Sequence, residues 1–340
     1  MITVLVTGAG GGVGQGIIKS LKMIQDLEIK LIAADMSELA AGLYAGNIAC
    51  LVEGCSSPTY MNSLARIFDK YNVDFYIPGT DVELKFCAEN KNRMKEDFNV
   101  ETVISSIKTI DIADDKFKTS EFLKNEGFHY PYTKRLCDYS EDEFDFPVII
   151  KPAVGYRSIG VEKIISRRFL EPYLSKSENL IIQEFIEGED SEYTCTVVRV
   201  GDQISPVLVL NRNLRSGDTY RANPLKSDSI EHYVHQIVSK LDIEGGCNFQ
   251  LRVDPNGTPK LFEINCRFSG TTPFCTQLGF NPVEYYLKKK IGYPVEVDIN
   301  YNAYVLRYWT EIVVPKEQMA ELAIKKQLAP SLAKQLSLFK

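Results

Sequence analysis

The 340-residue sequence predicts an α/β fold with a parallel sheet in its first third, giving way to α+β structure in the C-terminal part. Three observations carry this prediction. Short apolar runs alternate with helical patterns up to about residue 105, the mark of parallel strands joined by crossover helices. From about residue 112 the runs lengthen, fill with Val, Thr and Tyr, and are separated by turn signals that suit antiparallel pairing. The stretch LFEINCRFSGT, residues 261–271, alternates apolar side chains with Glu263, Asn265 and Arg267. In a strand that alternation puts the three polar groups on one face.

Taken in order, strands are predicted at Thr3–Thr7, Lys30–Asp35, Asn47–Val52, Asp74–Pro78 and Glu101–Ser105, with helices at Thr59–Tyr71 and Val82–Lys95. A helix over Ala113–Asn125 follows, capped by Asp114 or Asp115 and closed by Gly127. Strand signals come next at Phe146–Pro152, Gly160–Ile165 and Leu180–Phe185, with a short helix near Phe169–Ser175. The longer runs are Glu192–Val200, Gln203–Arg212, Cys247–Val253 and Lys260–Phe268. Helices are predicted at Ser229–Leu241 and Pro282–Ile291, and Lys316–Leu338 has an amphipathic helical pattern.

Acids outnumber bases, 45 to 39, which leaves no electrostatic footprint for nucleic acid. No apolar run approaches the ~18 residues that cross a membrane. The N-terminal MITVLVTGAG enters a strand pattern directly, without a basic segment or a cleavage signal. Eight cysteines with no CxxC pair suit reduced, buried thiols. Together these features predict a cytoplasmic protein that engages neither nucleic acid nor membrane.

The segment CNFQLRVDPNGTPKLFEINCR predicts a β-hairpin turning at Pro255–Thr258. Pairing Asp254 with Pro259 sets Gln250 opposite Glu263 and Asn248 opposite Asn265. Directly opposite residues share a face, so Gln250, Glu263 and Asn265 converge. One carboxylate with neutral oxygens suits a Mg²⁺ that shares the phosphates of a nucleotide. Upstream, FPVIIKPAVGYRSIGVEKI places Lys151 at a strand end before a loop with Gly155, Ser158 and Gly160. No helix follows, so this is not a P-loop, but the glycines still let backbone N–H groups nest around an anion. Lys116 falls in the first turn of a helix, an unfavourable place for a cation unless an anion binds nearby. Glu184-Phe185-Ile186 ends a buried strand and offers a backbone edge to a purine. Glu192, with Glu187, Glu189 and Asp190 as neighbouring acids, is a candidate for ribose hydroxyls.

In this order the pieces resemble the ATP-grasp superfamily, nearest to its carbamoyl-phosphate-synthetase-like and biotin-carboxylase-like members. The resemblance covers nearly the whole chain, with Cys266 standing where many relatives have proline. It implies a Rossmann-like pre-ATP-grasp domain (residues 1–111), a small ATP-grasp subdomain (112–186), a large subdomain with the metal hairpin (187–312) and a C-terminal helical tail (313–340). It implies that Lys116 and Lys151, with the Gly155, Ser158 and Gly160 loop, contact ATP phosphates. Glu184 and Ile186 would form the adenine hinge, and Glu192 would bind ribose. Gln250, Glu263 and Asn265 would hold one or two Mg²⁺, with Mn²⁺ as an alternative ion. Arg267 and Arg215, the latter in the loop LRSGDTYRANP (214–224), would carry catalytic charge at the acyl phosphate and the γ-phosphate. The implied activity is an ATP-dependent ligation of a small carboxylate to an amine through an acyl phosphate, giving ADP and phosphate; a homodimer is compatible with it.

Two other functions compete. Gly8, Gly11 and Gly14 lie between a strand and a helix, with Asp35 ending the next strand, which suits a dinucleotide and hence an NAD(P)-dependent oxidoreductase or epimerase. The Tyr-x-x-x-Lys pairs such enzymes use are badly placed here. Pro131 breaks Tyr130…Lys134, and Tyr285…Lys289 is expected on a surface helix. A non-catalytic ATP-binding regulator is the third option, opposed by the intact set Gln250, Glu263, Asn265 and Arg267. Thr80, Asp81 and Glu83 are substrate-side candidates at a strand's carboxyl end, and specificity is expected from the loops at 8–16, 78–84 and 269–276.

Overall fold

The structure is a computed structural model that describes residues 1–155, 158–175, 177–188, 192–330 and 334–335. Strands β1 (Ile2–Val6), β2 (Ile29–Asp35), β3 (Ile48–Leu51), β4 (Phe75–Ile77) and β5 (Glu101–Thr102) form a parallel sheet ordered β3-β2-β1-β4-β5. Helices α1 (Gly12–Lys22), α2 (Tyr60–Tyr71) and α3 (Asp81–Phe98) connect them. Val4, Leu5, Ile32 and Ala33 are wholly buried, as befits a sheet covered on both faces. The chain runs outward from β1 to β3 and then returns to β4 on the other side of β1. The strand order therefore reverses between the carboxyl ends of β1 and β4, where open α/β sheets bind ligands.

Close backbone approach explains the glycines there. A Cβ on Gly14 would stand 2.1 Å from the Gly8 carbonyl oxygen, and one on Gly79 would stand 2.1 Å from that of Thr7. Small residues at these positions are a packing requirement, whatever the ligand.

Residues 113–114 of the predicted helix instead end a separate helix, α4 (Ile107–Asp114), and the rest forms α5 (Lys116–Asn125), capped by Asp115 as one of the two expected acids. Asp115 between them is extended, and its side chain accepts hydrogen bonds from the backbone N–H of Phe117 at 2.8 Å and Lys118 at 3.3 Å. A capping side chain thus ends one helix and starts the next. Strands β6 (Thr133–Arg135), β7 (Val148–Pro152), β8 (Glu162–Ile164) and β9 (Leu180–Glu184) form an antiparallel sheet ordered β6-β9-β7-β8. Helix α6 (Arg167–Leu174) buries Leu170 against Val148, Ile150 and Ile182 of this sheet.

The large sheet contains β10 (Glu192–Val200), β11 (Gln203–Ile204), β12 (Leu208–Arg215), β13 (Asp218–Leu225), β14 (Gly245–Val253), β15 (Pro259–Asn265) and β16 (Val305–Leu306). Its order is β15-β14-β10-β12-β13-β16, with β11 on β10. Helices α7 (Asp228–Lys240), α8 (Thr272–Gln277) and α9 (Pro282–Lys290) complete this part. Three expectations are corrected here. The run Gln203–Arg212 is interrupted around Pro206, which has no N–H to give a ladder. Residues 214–224 are not a loop but most of the β12–β13 hairpin, turning through Ser216 (φ 52) and Gly217 (φ 80), the mirror-type turn that matches strand twist. Helix α9 is not a surface helix, since Tyr286 and Leu287 are fully buried.

The metal hairpin keeps its predicted register at the open end, where Asn248 faces Asn265 and Gln250 faces Glu263. Past Gln250 the register slips by one, so Leu251 faces Leu261 and Val253, not Asp254, faces Pro259. Phe262 is the extra residue of this bulge. The slip lets Leu261 take the buried position, 1% exposed, and turns Phe262 away from the apolar face on which strict alternation put it.

The tail is also corrected. After β17 (Ile312–Val313), helix α10 (Lys316–Lys325) stops at Lys326, which adopts φ 59. β18 (Gln327–Leu328) then pairs antiparallel with β3, extending the N-terminal sheet, and β19 (Lys334–Gln335) pairs with β17. Residues 331–333 and 336–338 of the stretch predicted to hold one or two helices lie outside the described residues. The eight cysteines are free, six of them buried, one half-buried and Cys137 exposed. Among the described residues no helix is long and apolar enough to cross a membrane.

Candidate active site

A cleft of about 860 Å³ opens between the small and large antiparallel sheets. Its walls come from β7 and β9 on one side and β10, β12, β14 and β15 on the other. Lys116, Lys151, Gly155, Ser158, Glu184, Ile186, Glu192, Gln250 and Glu263 all line it. Residues separated by as much as 147 positions in the chain, from Lys116 to Glu263, thus face one space.

Lys151 sits at the end of β7 and is 5% exposed. Its Nζ donates to Gln183 Oε1 at 2.8 Å and lies 5.2 Å from the Phe262 ring centroid. The β15 bulge therefore supplies an aromatic wall beside this ammonium. Burial pushes the Lys151 pKa down to about 8, with Glu263 and Glu192 pulling it up and Lys116 pushing it further down. Lys116, the first residue of α5, is 8% exposed and donates to the Gly155 carbonyl at 2.9 Å. It thereby pins the glycine loop to the first turn of α5. In that loop Ser158 (φ 55) and Gly160 (φ 73) are left-handed, Gly160 packs on Pro152, and residues 156–157 lie outside the described set.

The Glu184 carboxylate is held by Lys260 Nζ at 2.8 Å and the Tyr132 backbone N–H at 2.9 Å. Its side chain is a latch between the two sheets, leaving the Glu184–Ile186 backbone to the cleft. Glu192 accepts from Arg212 at 2.8 Å and lies 3.7 Å from Arg252. The same Arg212 Nη2 donates to Gln250 Oε1 at 2.8 Å. Arg212 and Arg252 are the cleft residues that sequence inspection missed. No local signal marked either one, since Arg252 meets Glu192 only through the long-range β10–β14 ladder. Glu187 is exposed outside the cleft lining, and Glu189 and Asp190 lie outside the described residues.

Asn265 Nδ2 donates to Glu263 Oε1 at 3.3 Å, and Asn265 Oδ1 accepts from Arg267 Nη2 at 3.2 Å. Among the described residues no group of three His, Cys, Asp or Glu side chains could hold a metal by itself. The mixed set of Gln250, Glu263 and Asn265 fits Mg²⁺ completed by phosphate oxygens better than a permanent all-protein cage.

Arg267 reaches across to the N-terminal domain. It grips Asp81, the first residue of α3, through two bonds of 2.6 and 2.8 Å. Asp81 is thus brought to the site. Glu83 is not: it is 5% exposed, accepts from Tyr60 Oη at 2.6 Å and Thr7 Oγ1 at 3.0 Å, and burial raises its pKa. Arg215 is also not brought in. The tight β12–β13 turn carries it to an exposed tip, 5.3 Å from the exposed Trp309 ring, and Leu214 lines the cleft in its place. Asp35, the acid a dinucleotide would need, accepts from Gly10 N–H at 2.8 Å and so closes the glycine turn on itself.

The family comparisons agree with this geometry. A model described as "ATP-grasp domain" matches residues 113–271, and one described as "PylC-like, N-terminal domain" matches residues 4–103. Residues 113–271 thus match an ATP-grasp domain, preceded by a PylC-like N-terminal domain. The multifunctional protein URA2 of Saccharomyces cerevisiae is 25% identical over 68% of this chain and 11% of its own length. The carbamoyl phosphate synthase large chain of Halomonas eurihalina is 26% identical over 70% of this chain and 25% of its own length. The chain therefore spans between about a tenth and a quarter of the length of the curated relatives it matches. In structure it is similar to N5-carboxyaminoimidazole synthetase from Staphylococcus aureus complexed with ADP, with TM-score 0.70, 15% identity, and coverage of 96% of this chain and 85% of that one. It is also similar to the biotin carboxylase domain dimer of Hydrogenobacter thermophilus 2-oxoglutarate carboxylase in complex with MgADP, ADP and bicarbonate, with TM-score 0.65, 17% identity, and coverage of 89% and 73%. At these identities the ATP-grasp fold is what the structures share with the chain.

Proposed function

We propose that this chain is an ATP-dependent ligase that joins a small carboxylic acid to an amine through an acyl phosphate, releasing ADP and phosphate. The observation that supports it is the convergence of Lys116, Lys151, Glu192, Gln250 and Glu263 on one cleft. A carboxylate resists an amine because oxide is a poor leaving group. Transfer of the γ-phosphoryl group makes that oxygen a phosphate, and the amine then attacks the carbonyl carbon and expels it. Lys151 and Lys116 would neutralise the phosphate oxygens from fixed positions, Lys116 through the loop it pins. Glu184–Ile186 would offer backbone to adenine, and Glu192, held by two arginines, would orient on ribose. Arg267, fixed by Asp81, would face the acyl phosphate. Mg²⁺, or Mn²⁺ in its place, would supply charge neutralisation at the phosphates when held by Gln250, Glu263 and Asn265.

The substrates are small molecules. The subdomain limits at residues 111, 186 and 312 are supported by sheet membership, since β5 ends at Thr102, β9 at Glu184 and β16 at Leu306. Free cysteines support a reducing, cytoplasmic setting. A homodimer is the assembly to look for, one structural neighbour being a dimer.

The test is an ADP-release screen pairing carboxylic acids, including amino acids and sugar acids, with amines. An acid- and amine-dependent release is expected, and Glu263→Gln should reduce it by at least about 10²-fold. Undiminished release by Glu263→Gln would remove the metal hairpin from the mechanism.

A further inference from the structure

Both amide oxygens of the candidate metal site are engaged by arginines. Gln250 Oε1 accepts from Arg212 Nη2 at 2.8 Å, and Asn265 Oδ1 accepts from Arg267 Nη2 at 3.2 Å. A guanidinium only donates, so the atom each amide turns toward its arginine must be the oxygen. Each amide has a single oxygen, and its nitrogen is no ligand for a hard cation. In Asn265 that nitrogen, Nδ2, donates to Glu263 Oε1 at 3.3 Å. A divalent cation arriving alone would therefore meet one carboxylate that already accepts a hydrogen bond and two amide oxygens already bonded to cations. Mg²⁺ gives up water reluctantly and is held through few carboxylates plus substrate phosphates. By itself this arrangement is a weak metal site.

The two arginines differ in how they are committed. Arg267 is gripped by both carboxylate oxygens of Asp81. Arg212 Nη2 donates to Gln250 Oε1 and to Glu192 Oε1, each at 2.8 Å, and Arg212 Nε adds a 3.3 Å bond to the same Glu192 oxygen. Its side chain is 8% exposed and lines the same cleft as Lys116 and Lys151. Opening the Gln250 bond would thus leave the ion pair with Glu192 in place. A charged phosphate oxygen is a stronger acceptor than a neutral amide oxygen. Of Arg212's two partners, Gln250 is the one that an anion in the cleft would displace.

We propose that Arg212 makes metal binding conditional on the nucleotide. Arg212 holds the Gln250 oxygen until a phosphate group takes its place as acceptor, and only then is that oxygen released to a cation beside Glu263. Arg212 is a positioning residue, acting on the metal through Gln250. The inference rests on the nucleotide cleft of the ligase proposal and adds an order to it: the divalent cation enters with the nucleotide and not ahead of it.

The experiment follows Mn²⁺, standing in for Mg²⁺, on the full chain by water-proton relaxation enhancement, with and without ADP. This readout reports ion bound to protein and needs no turnover. Wild type should bind Mn²⁺ at least about tenfold more tightly with ADP than without it, and Arg212→Met should gain about tenfold in the absence of ADP. Arg212→Lys, which returns the positive charge, should lose that gain. Gln250→Ala separates the released amide from a freed Glu192, and it should erase the gain when combined with Arg212→Met. Alone, Gln250→Ala should weaken Mn²⁺ binding with ADP and leave it unchanged without ADP, a test that holds even if the Arg212 variants do not fold. A gain that survives Gln250→Ala, no gain in a folded Arg212→Met, or equal wild-type affinities with and without ADP would overturn the proposal and leave the nucleotide cleft standing. Absence of any ADP binding to the wild type would instead overturn the cleft, and this proposal with it.

Discussion

Lys151 carries the strongest residue-scale consequence. Its pKa is about 8 in the folded chain and returns to the usual lysine value on unfolding. Below pH 8 both states hold the proton, and the native state bears the cost of a buried charge. Above it the native state sheds the proton first, so native stability rises with pH up to the unfolded value. MgATP affinity should move the opposite way, weakening as pH passes 8 and the ammonium is lost. Denaturant midpoints of wild type and Lys151→Met between pH 7.5 and 9.5 check the first sign: wild type should gain on the variant, whereas parallel curves would place the lysine in solvent. Asp81 gives a second case. It fixes Arg267 through both carboxylate oxygens, so Asp81→Asn should lower kcat by roughly 10- to 100-fold while KM for MgATP stays nearly constant. Equal changes in both constants would mean that Asp81 only holds the domains together.

At the scale of elements, the glycines of the first domain act through contact. Gly79→Ala would force a Cβ to 2.1 Å from the Thr7 carbonyl and should cost about 1–3 kcal/mol, seen as a lowered melting temperature. An unchanged melt would mean that β1 and β4 can separate. The alternation of strands and helices was legible in the sequence because parallel strands buried on both faces leave short, unbroken apolar runs between helical patterns. The hairpin register near Glu263 was legible because turn residues and alternation agreed. What was not legible depended on tertiary pairing. The Phe262 bulge comes from Leu261 filling the core, which local alternation does not report. The cap at Asp115 was legible as one of two candidate acids, but the separate helix Ile107–Asp114 that runs up to it was not. Arg215 was assigned to the cleft from motif order, but a two-residue turn carries it outward. Arg212 was overlooked because a strand-end arginine looks solvated until its neighbours Glu192 and Gln250 are in place.

Over the whole molecule, three sheets divide the work. The small sheet supplies Lys151 and the Glu184–Ile186 segment, the large sheet supplies Gln250, Glu263 and Asn265, and the parallel sheet supplies Asp81 and the switch-point loops. Arg267–Asp81 couples the second to the third, and Glu184–Lys260 couples the first to the second. The C-terminal segment closes the circuit by adding β18 to the outer edge of the parallel sheet. In the proposed function these parts would serve one cleft that grips one metal-bound triphosphate. Calorimetric titration of MgATP into wild type, Lys151→Met and Glu263→Gln tests that most directly. Wild type should bind, Lys151→Met should bind at least about tenfold more weakly with or without metal, and Glu263→Gln should lose only the part of the affinity that depends on Mg²⁺. Identical affinities in all three proteins would contradict it.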